Sequence, residues 1–285
     1  MRGSLSHQLT TCHVCVRITH VLDLTLAKQL AVQAAETAGK IALANFDRPK
    51  DVRYKGRANP VTNVDLEAEK AIVSLIERKF PQHNILSEET QVIDRGSEFT
   101  WVIDPLDGTL NYSSSIPIYC VSVALARLDR PVLGVVYDPV RQEMFTAQEG
   151  GGAFLNRRQI HIAQKTSLQK AAVGVDLGYQ DLGRLRALET MLRLRPDVQC
   201  FRLIGSAVLG ACYAASGRFD LYFHPFVYAW DLAASTIIAR EAGGVVTDFS
   251  GQQVTIHSQN IIVSNSALHG QFISLAGPCL SLEYP

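Results

Sequence analysis

Apolar residues return every three or four positions at Leu24, Ala27, Ala31, Ala34, Ala38 and Ile41, the spacing of one buried helix face. They predict an amphipathic helix over 23–45 that ends before Pro49. Beyond the polar stretch YKGRANP at 54–60, Thr62 and Asp65 have capping-box spacing, and Val64, Ala68, Ile72, Leu75 and Lys79 lie along one side of a second helix that Pro81 stops. The period then shortens. Runs at 84–87, 99–103, 119–126, 132–137 and 143–147, punctuated by Gly, Pro and Asp, predict neighbouring strands in a largely antiparallel sheet. Gly150-Gly151-Gly152 and the polar NRRQ at 156–159 lead into a half where strands and helices alternate. Helices are expected at 182–194, 206–216, 231–242 and from 265, and strands at 199–204, 219–223, 244–248 and 260–264. The pattern is that of a layered α/β protein with two lobes, about 23–150 and 151–285.

Composition narrows the function. The 285 residues are 47% hydrophobic, 19% charged and 8% aromatic, ordinary globular usage that excludes a wholly disordered chain. Lys plus Arg and Asp plus Glu both total 27, with no run of five like charges, so no electrostatic footprint for nucleic acid or an anionic membrane is present. A small-molecule partner is expected instead. No apolar run approaches the ~20 residues of a bilayer span. The first 22 residues lack the apolar stretch of a secretion signal and precede the first periodic segment, so they are expected to be a poorly ordered extension of a cytoplasmic protein. Cysteines stand at 12, 15, 120, 200, 212 and 279 and are expected to stay reduced. Cys12 and Cys15 have the spacing of half a zinc site, but no second pair follows.

The candidate chemistry lies in acidic residues. In Phe99-Thr-Trp-Val-Ile-Asp104-Pro-Leu-Asp107-Gly-Thr109, a strand delivers Asp104, Pro105 fixes a backbone torsion and Gly108 permits a turn, so two carboxylates can face one point. Together with the Leu106 carbonyl they suit a hard cation such as Mg²⁺, although the same stretch would also serve as an Asx-type turn. Glu88 and Glu89 follow a short strand, Asp231 opens a helix in YAWDLAA, and Asp65 lies in VTNVD. Each alone also reads as a solvated charge or a helix cap.

In this order and spacing the segments DPLDGTLNY at 104–112, WDLAASTIIAREAGG at 230–244, VTNVD at 61–65 and SEE at 87–89 resemble the inositol monophosphatase family of magnesium-dependent phosphomonoesterases, over about 23–275. The resemblance implies an αβαβα sandwich, a homodimer, lithium inhibition and two or three Mg²⁺ ions. It places one ion on Glu88, Asp104 and the Leu106 carbonyl, a second on Asp104, Asp107 and Asp231, and a weaker third on Glu88 with water. It assigns Thr109 and Asp65 to orienting the attacking water, and puts Asp107, Gly108, Thr109, Ser206 and His224 beside the substrate. Four acids in one pocket would repel a phosphate dianion unless cations intervened, which agrees with that assignment.

The expected reaction is hydrolysis of small polyol or sugar phosphates, first among them inositol 1-phosphate. Alternatives are fructose 1,6-bisphosphate, histidinol phosphate and 3′-phosphoadenosine nucleotides. Seven residues before Asp231, inositol-selective animal members carry a glutamate, whereas this chain has His224, which would bond a polyol or simply pack beside Pro225. Ser206, in Gly205-Ser206-Ala207, reads equally as a helix cap or as a substrate neighbour. The DGT ending is shared with phosphatases that use an aspartyl nucleophile, but here the nucleophile position is Pro105, which excludes that route there. Some bacterial members bind the transcription machinery, so a regulatory binding protein is the reading from another class. Neutral charge and the full acidic set favour the enzyme, with no nucleic-acid partner expected.

Overall fold

The computed structural model describes residues 23–55, 60–90 and 92–280. The expected N-terminal extension, with Cys12 and Cys15, lies outside the described residues. Asp23 caps α1 (Leu24–Asn45), its carboxylate accepting from the amides of Thr25 at 2.9 Å and Leu26 at 3.2 Å. The helix turns Ala27, Ala31, Ala34 and Ala38 inward, as the spacing predicts, with Ala42 buried in place of the expected Ile41, and such small side chains let it lie close on a sheet. β1 (Val52–Tyr54) and β2 (Pro60–Thr62) pair antiparallel and lead into α2 (Asn63–Lys79), which the Thr62–Asp65 capping box starts.

The first sheet has seven strands in chain order. They are β3 (Asn84–Ser87), β4 (Phe99–Asp107), β5 (Cys120–Arg127), β6 (Arg130–Asp138), β7 (Glu143–Gln148), β8 (Ala153–Leu155) and β9 (Arg158–Gln159). The short helix α3 (Thr109–Ser113) lies between β4 and β5. β3 runs parallel to β4 and every other neighbour pair is antiparallel. Because β8 and β9 extend this sheet, the change of sheet comes after Gln159 and not at the glycine run.

The second half supplies β10 (Ala172–Val175), α4 (Asp181–Leu194), β11 (Cys200–Arg202), α5 (Ala207–Ala215), β12 (Leu221–His224), α6 (Ala229–Glu241), β13 (Val245–Thr247), β14 (Ile261–Ser264) and α7 (Ser266–Leu280). Its sheet has the order β11-β10-β12-β14-β13, with β10 parallel to β11 and β12 and the remaining pairs antiparallel. α6 begins at Ala229, two residues before the expected start at Asp231.

Burial orders these elements into five layers. α1 and α2 cover one face of the first sheet through Ala31, Ile72 and Ile76 against Trp101, Val123 and Val135. α5 and α6 fill the space between the sheets, where Leu209, Cys212, Leu232 and Ile238 meet Val102 and Val136 on one side and Tyr222 and Val263 on the other. α4 and α7 close the outer face of the second sheet with Ala187, Leu194, Leu268 and Phe272. The architecture is therefore the αβαβα sandwich. α6 lies close over β6 because Gly134 has no side chain: a Cβ there would sit 2.7 Å from the Ala234 carbonyl oxygen.

Candidate active site and metal centre

Along a regular strand, residues three apart point to opposite faces, so Asp104 and Asp107 should not meet. The pairing of β4 with β5 shows why they do. Asp104 pairs with Ser122 and Asp107 with Cys120, with a register shift between them, so β4 spends three steps where β5 spends two. This bulge turns both carboxylates to one side, and it accommodates Pro105, which has no amide for the ladder. Gly108 follows at φ 90°, a torsion that favours glycine, and its missing Cβ would lie 2.9 Å from the Ile118 carbonyl oxygen. Carboxylate oxygens of Asp104, Asp107 and Asp231 consequently lie within 4.8 Å of one another.

α2 supplies the next layer. Asp65 closes the capping box by accepting from the Thr62 amide at 2.9 Å and the Thr62 hydroxyl. Its other oxygen accepts from the Thr109 hydroxyl at 3.1 Å, so the cap leaves this oxygen able to reach the turn after β4. Thr109 Oγ1 also lies 2.9 Å from the Leu106 carbonyl. Glu88 sits just past β3 and lines the same cavity, but apart from the aspartate triad its carboxylate pairs with Lys55 at 3.1 Å. Lys55 also holds Glu89 at 2.6 Å. Asp231 occupies the first turn of α6 and accepts from the Tyr228 amide at 2.7 Å, which accounts for its helix-cap appearance in the sequence.

Asp107 meets the N-terminus of α5. Its carboxylate accepts from the amides of Ala207 at 3.2 Å and Val208 at 3.1 Å and from the Ser206 hydroxyl. Ser206 is the α5 cap, accepting from the Leu209 amide at 3.2 Å, and its hydroxyl donates to the Asp107 carboxylate at the cavity wall. The backbone before it is clamped. Asp176 accepts from the amides of Ile204 at 3.0 Å and Gly205 at 2.7 Å, while Asn111 donates to the carbonyls of the same two residues at 2.7 and 3.1 Å. The Asn111 amide is thus spent on structure.

These residues line a cavity of about 650 Å³ that also takes in Tyr179, Arg184, His224, Phe226, Tyr228 and Trp230. His224 ends β12 and its Nδ1 accepts from the Phe226 amide at 3.2 Å, which leaves Nε2 to carry the ring proton. Burial pushes its pKa down to about 3, so the ring is neutral. The carboxylates shift the other way. Burial raises Asp104 well above the usual range, and the charges of Glu88, Asp107 and Asp231 raise it further. Burial likewise lifts Asp231, with Asp107 adding to it, and lifts Asp107 against its hydrogen-bond donors. Glu88 rises through burial, opposed by Lys55. Burial takes Glu89 to about 7 and Asp176 to about 7. A group of oxygen donors that resists ionising together has the chemistry that suits a hard divalent cation.

All ten residues picked out in the sequence converge on this one cavity or its immediate wall. Lys55, Glu69 and Asp176 were not picked out. Lys55 lay in a polar loop and Glu69 on an ordinary helix face, so only their tertiary partners mark them. Asp176 carries a weak signal, an acid directly after an apolar run.

Comparison with known proteins agrees with the geometry. The model of the inositol monophosphatase family matches residues 23–280. The protein named Nus factor SuhB from Haemophilus influenzae is 38% identical over 259 residues, 90% of this chain and 97% of that one. Inositol monophosphatase 2 from Solanum lycopersicum is 36% identical over 253 residues, covering 86% of this chain and 96% of its own. The solved structure of the Thermotoga maritima IMPase superimposes with a TM-score of 0.81 at 32% identity, covering 90% of this chain and 97% of that one. With the carboxylate-bearing bulge, the five layers and these matches in agreement, the chain belongs to the inositol monophosphatase family.

Proposed function

We propose that this protein hydrolyses small phosphate monoesters with Mg²⁺ and a directly attacking water, and that its substrates are polyol phosphates such as inositol 1-phosphate. The observation that carries this is the convergence of Asp104, Asp107 and Asp231 oxygens within 4.8 Å at a cavity that Thr109 also lines. Their chemistry fits the ion: every donor is an oxygen, and three buried carboxylates this close need positive charge among them. Glu88, Asp104 and the Leu106 carbonyl would hold one ion, and Asp104, Asp107 and Asp231 another, with a third weaker one at Glu88. Such ions supply the charge that draws a phosphate dianion into an acidic pocket and acidify nearby water.

The chain's own groups do the rest. A hydroxyl has one proton, so when Thr109 donates to Asp65 its lone pairs are free to accept from a water in the cavity. The α5 and α6 N-termini add fixed partial positive charge toward the phosphate. On the alcohol side, neutral His224 offers one donor, where a carboxylate would offer two acceptors to a diol. The same reading extends to lithium inhibition, to a homodimer and to a cytoplasmic setting; no described helix is long and apolar enough to cross a membrane.

The test is phosphate release from inositol 1-phosphate, fructose 1,6-bisphosphate, histidinol phosphate and a 3′-phosphoadenosine nucleotide. The polyol reading expects inositol 1-phosphate among the best substrates, and turnover in ¹⁸O-water placing one label in each released phosphate. Turnover of the nucleotide alone, or stable phosphate on acid-quenched protein, would contradict it. A second reading is favoured by the name Nus factor borne by relatives at 36–38% identity. On that reading the chain binds the transcription machinery, and the expected absence of a nucleic-acid partner has no support from those relatives. Pull-down of a stoichiometric transcription complex by a variant without phosphatase activity would establish this role.

A further inference from the structure

We infer that Glu69 sets the orientation of Glu88 and so acts as a positioning residue for the metal centre, an inference that rests on the proposed metal role of Glu88. Glu69 lies one turn beyond Asp65 on α2 and is 1% exposed. A single oxygen, Oε2, accepts from the chain on both sides of Glu88: from the Ser87 hydroxyl and from the Glu89 amide at 2.9 Å. The Glu88 amide itself donates to the Ile103 carbonyl at 3.3 Å. The chain is therefore held at Ser87 through its side chain and at Glu88 and Glu89 through their amides, leaving the Glu88 carboxylate to face Lys55 and the cavity.

A purely structural role accounts for less. The second oxygen of Glu69 is buried and has no hydrogen-bond partner among the described residues, a cost that an apolar side chain packed between α2 and β3 would not carry. The match with Asp65 is also informative. Spaced four apart, the two acids share a face of α2. Asp65 reaches Thr109 in the turn after β4, and Glu69 reaches the turn after β3. One helix face thereby fixes both carboxylate-bearing turns relative to each other, the kind of support that holds a metal ligand in its binding orientation.

The experiment titrates the full chain calorimetrically with Mn²⁺ in the absence of substrate, and records Tm for each variant. E69A should weaken Mn²⁺ binding about tenfold or more, the range seen when a ligand loses its hydrogen-bonded support. S87A, which removes one of the two bonds, should weaken it less. E69Q, whose amide oxygen can accept both bonds, should bind nearly as the wild type. A lowered Tm with unchanged Mn²⁺ affinity in both E69A and S87A would overturn the proposal. If E69A does not fold, S87A decides alone. E88Q separates the two levels: if E88Q binds Mn²⁺ as the wild type, the metal role of Glu88 fails, whereas weakening by E88Q with none by E69A or S87A overturns the positioning role only.

Discussion

Asp104 concentrates the conflict that defines this site. It is 1% exposed, its pKa is raised by burial and by three acidic neighbours, and among the described residues its one protein donor is the Leu106 amide at 3.0 Å. A carboxylate so placed is destabilising unless a cation joins it. Asp104→Asn keeps the shape and removes the charge, so it should reduce phosphate release by orders of magnitude while the metal-free protein melts no lower than the wild type. Activity close to wild type would remove Asp104 from the metal assignment. His224 tests selectivity. If its one donor meets the substrate's alcohol, as proposed, the wild type is expected to spread its kcat/KM over small polyol phosphates by roughly 100-fold or less. His224→Glu should raise the ranking of inositol 1-phosphate. An unchanged ranking would place selectivity on other residues of the cavity wall.

At the scale of elements, close approach between layers depends on single small residues. Gly134→Ala would press a methyl group against the Ala234 backbone and Ile237, and should destabilise by about 1–3 kcal/mol, read as a Tm lower by several degrees. A Tm within a degree of wild type would show that α6 can lift from β6 freely. The helices α1 and α2 were legible in the sequence because long segments with one apolar face leave a strong periodic signal. β1, β2, β8 and β9 were not legible, since strands of two or three residues are too short to show an alternation. β10 was missed for the opposite reason: Ala172–Val175 runs between two parallel neighbours as a short apolar stretch that periodicity cannot tell from helix. The acids were legible as a motif. The bulge that lets Asp104 and Asp107 share a side was not, because it is a property of pairing with β5.

Across the whole molecule, the buried acids tie stability to pH. Asp176 has an ordinary value near 3.8 when unfolded and is raised to about 7 by burial, so between those values the folded state keeps a proton that the unfolded chain has lost. Its contribution is therefore full below about 3.8 and is lost as pH rises through about 7. Glu89 acts in the same sense, from 4.5 to about 7. In EDTA, Tm should fall as pH rises across this window. Asp176→Asn, which can still accept from Ile204 and Gly205, should flatten the fall. Parallel curves for the two proteins would show that Asp176 does not titrate there.

The proposed function makes divalent ions the partner of the three carboxylates gathered at Asp104, Asp107 and Asp231. The most direct test of that claim is phosphate release from inositol 1-phosphate followed as Mg²⁺ is added to protein first stripped with EDTA. No release is expected without the ion, with a saturable rise as Mg²⁺ is restored and loss of that rise in Asp104→Asn. Release that proceeds undiminished in EDTA, or that Asp104→Asn supports with an unaltered Mg²⁺ dependence, would contradict it.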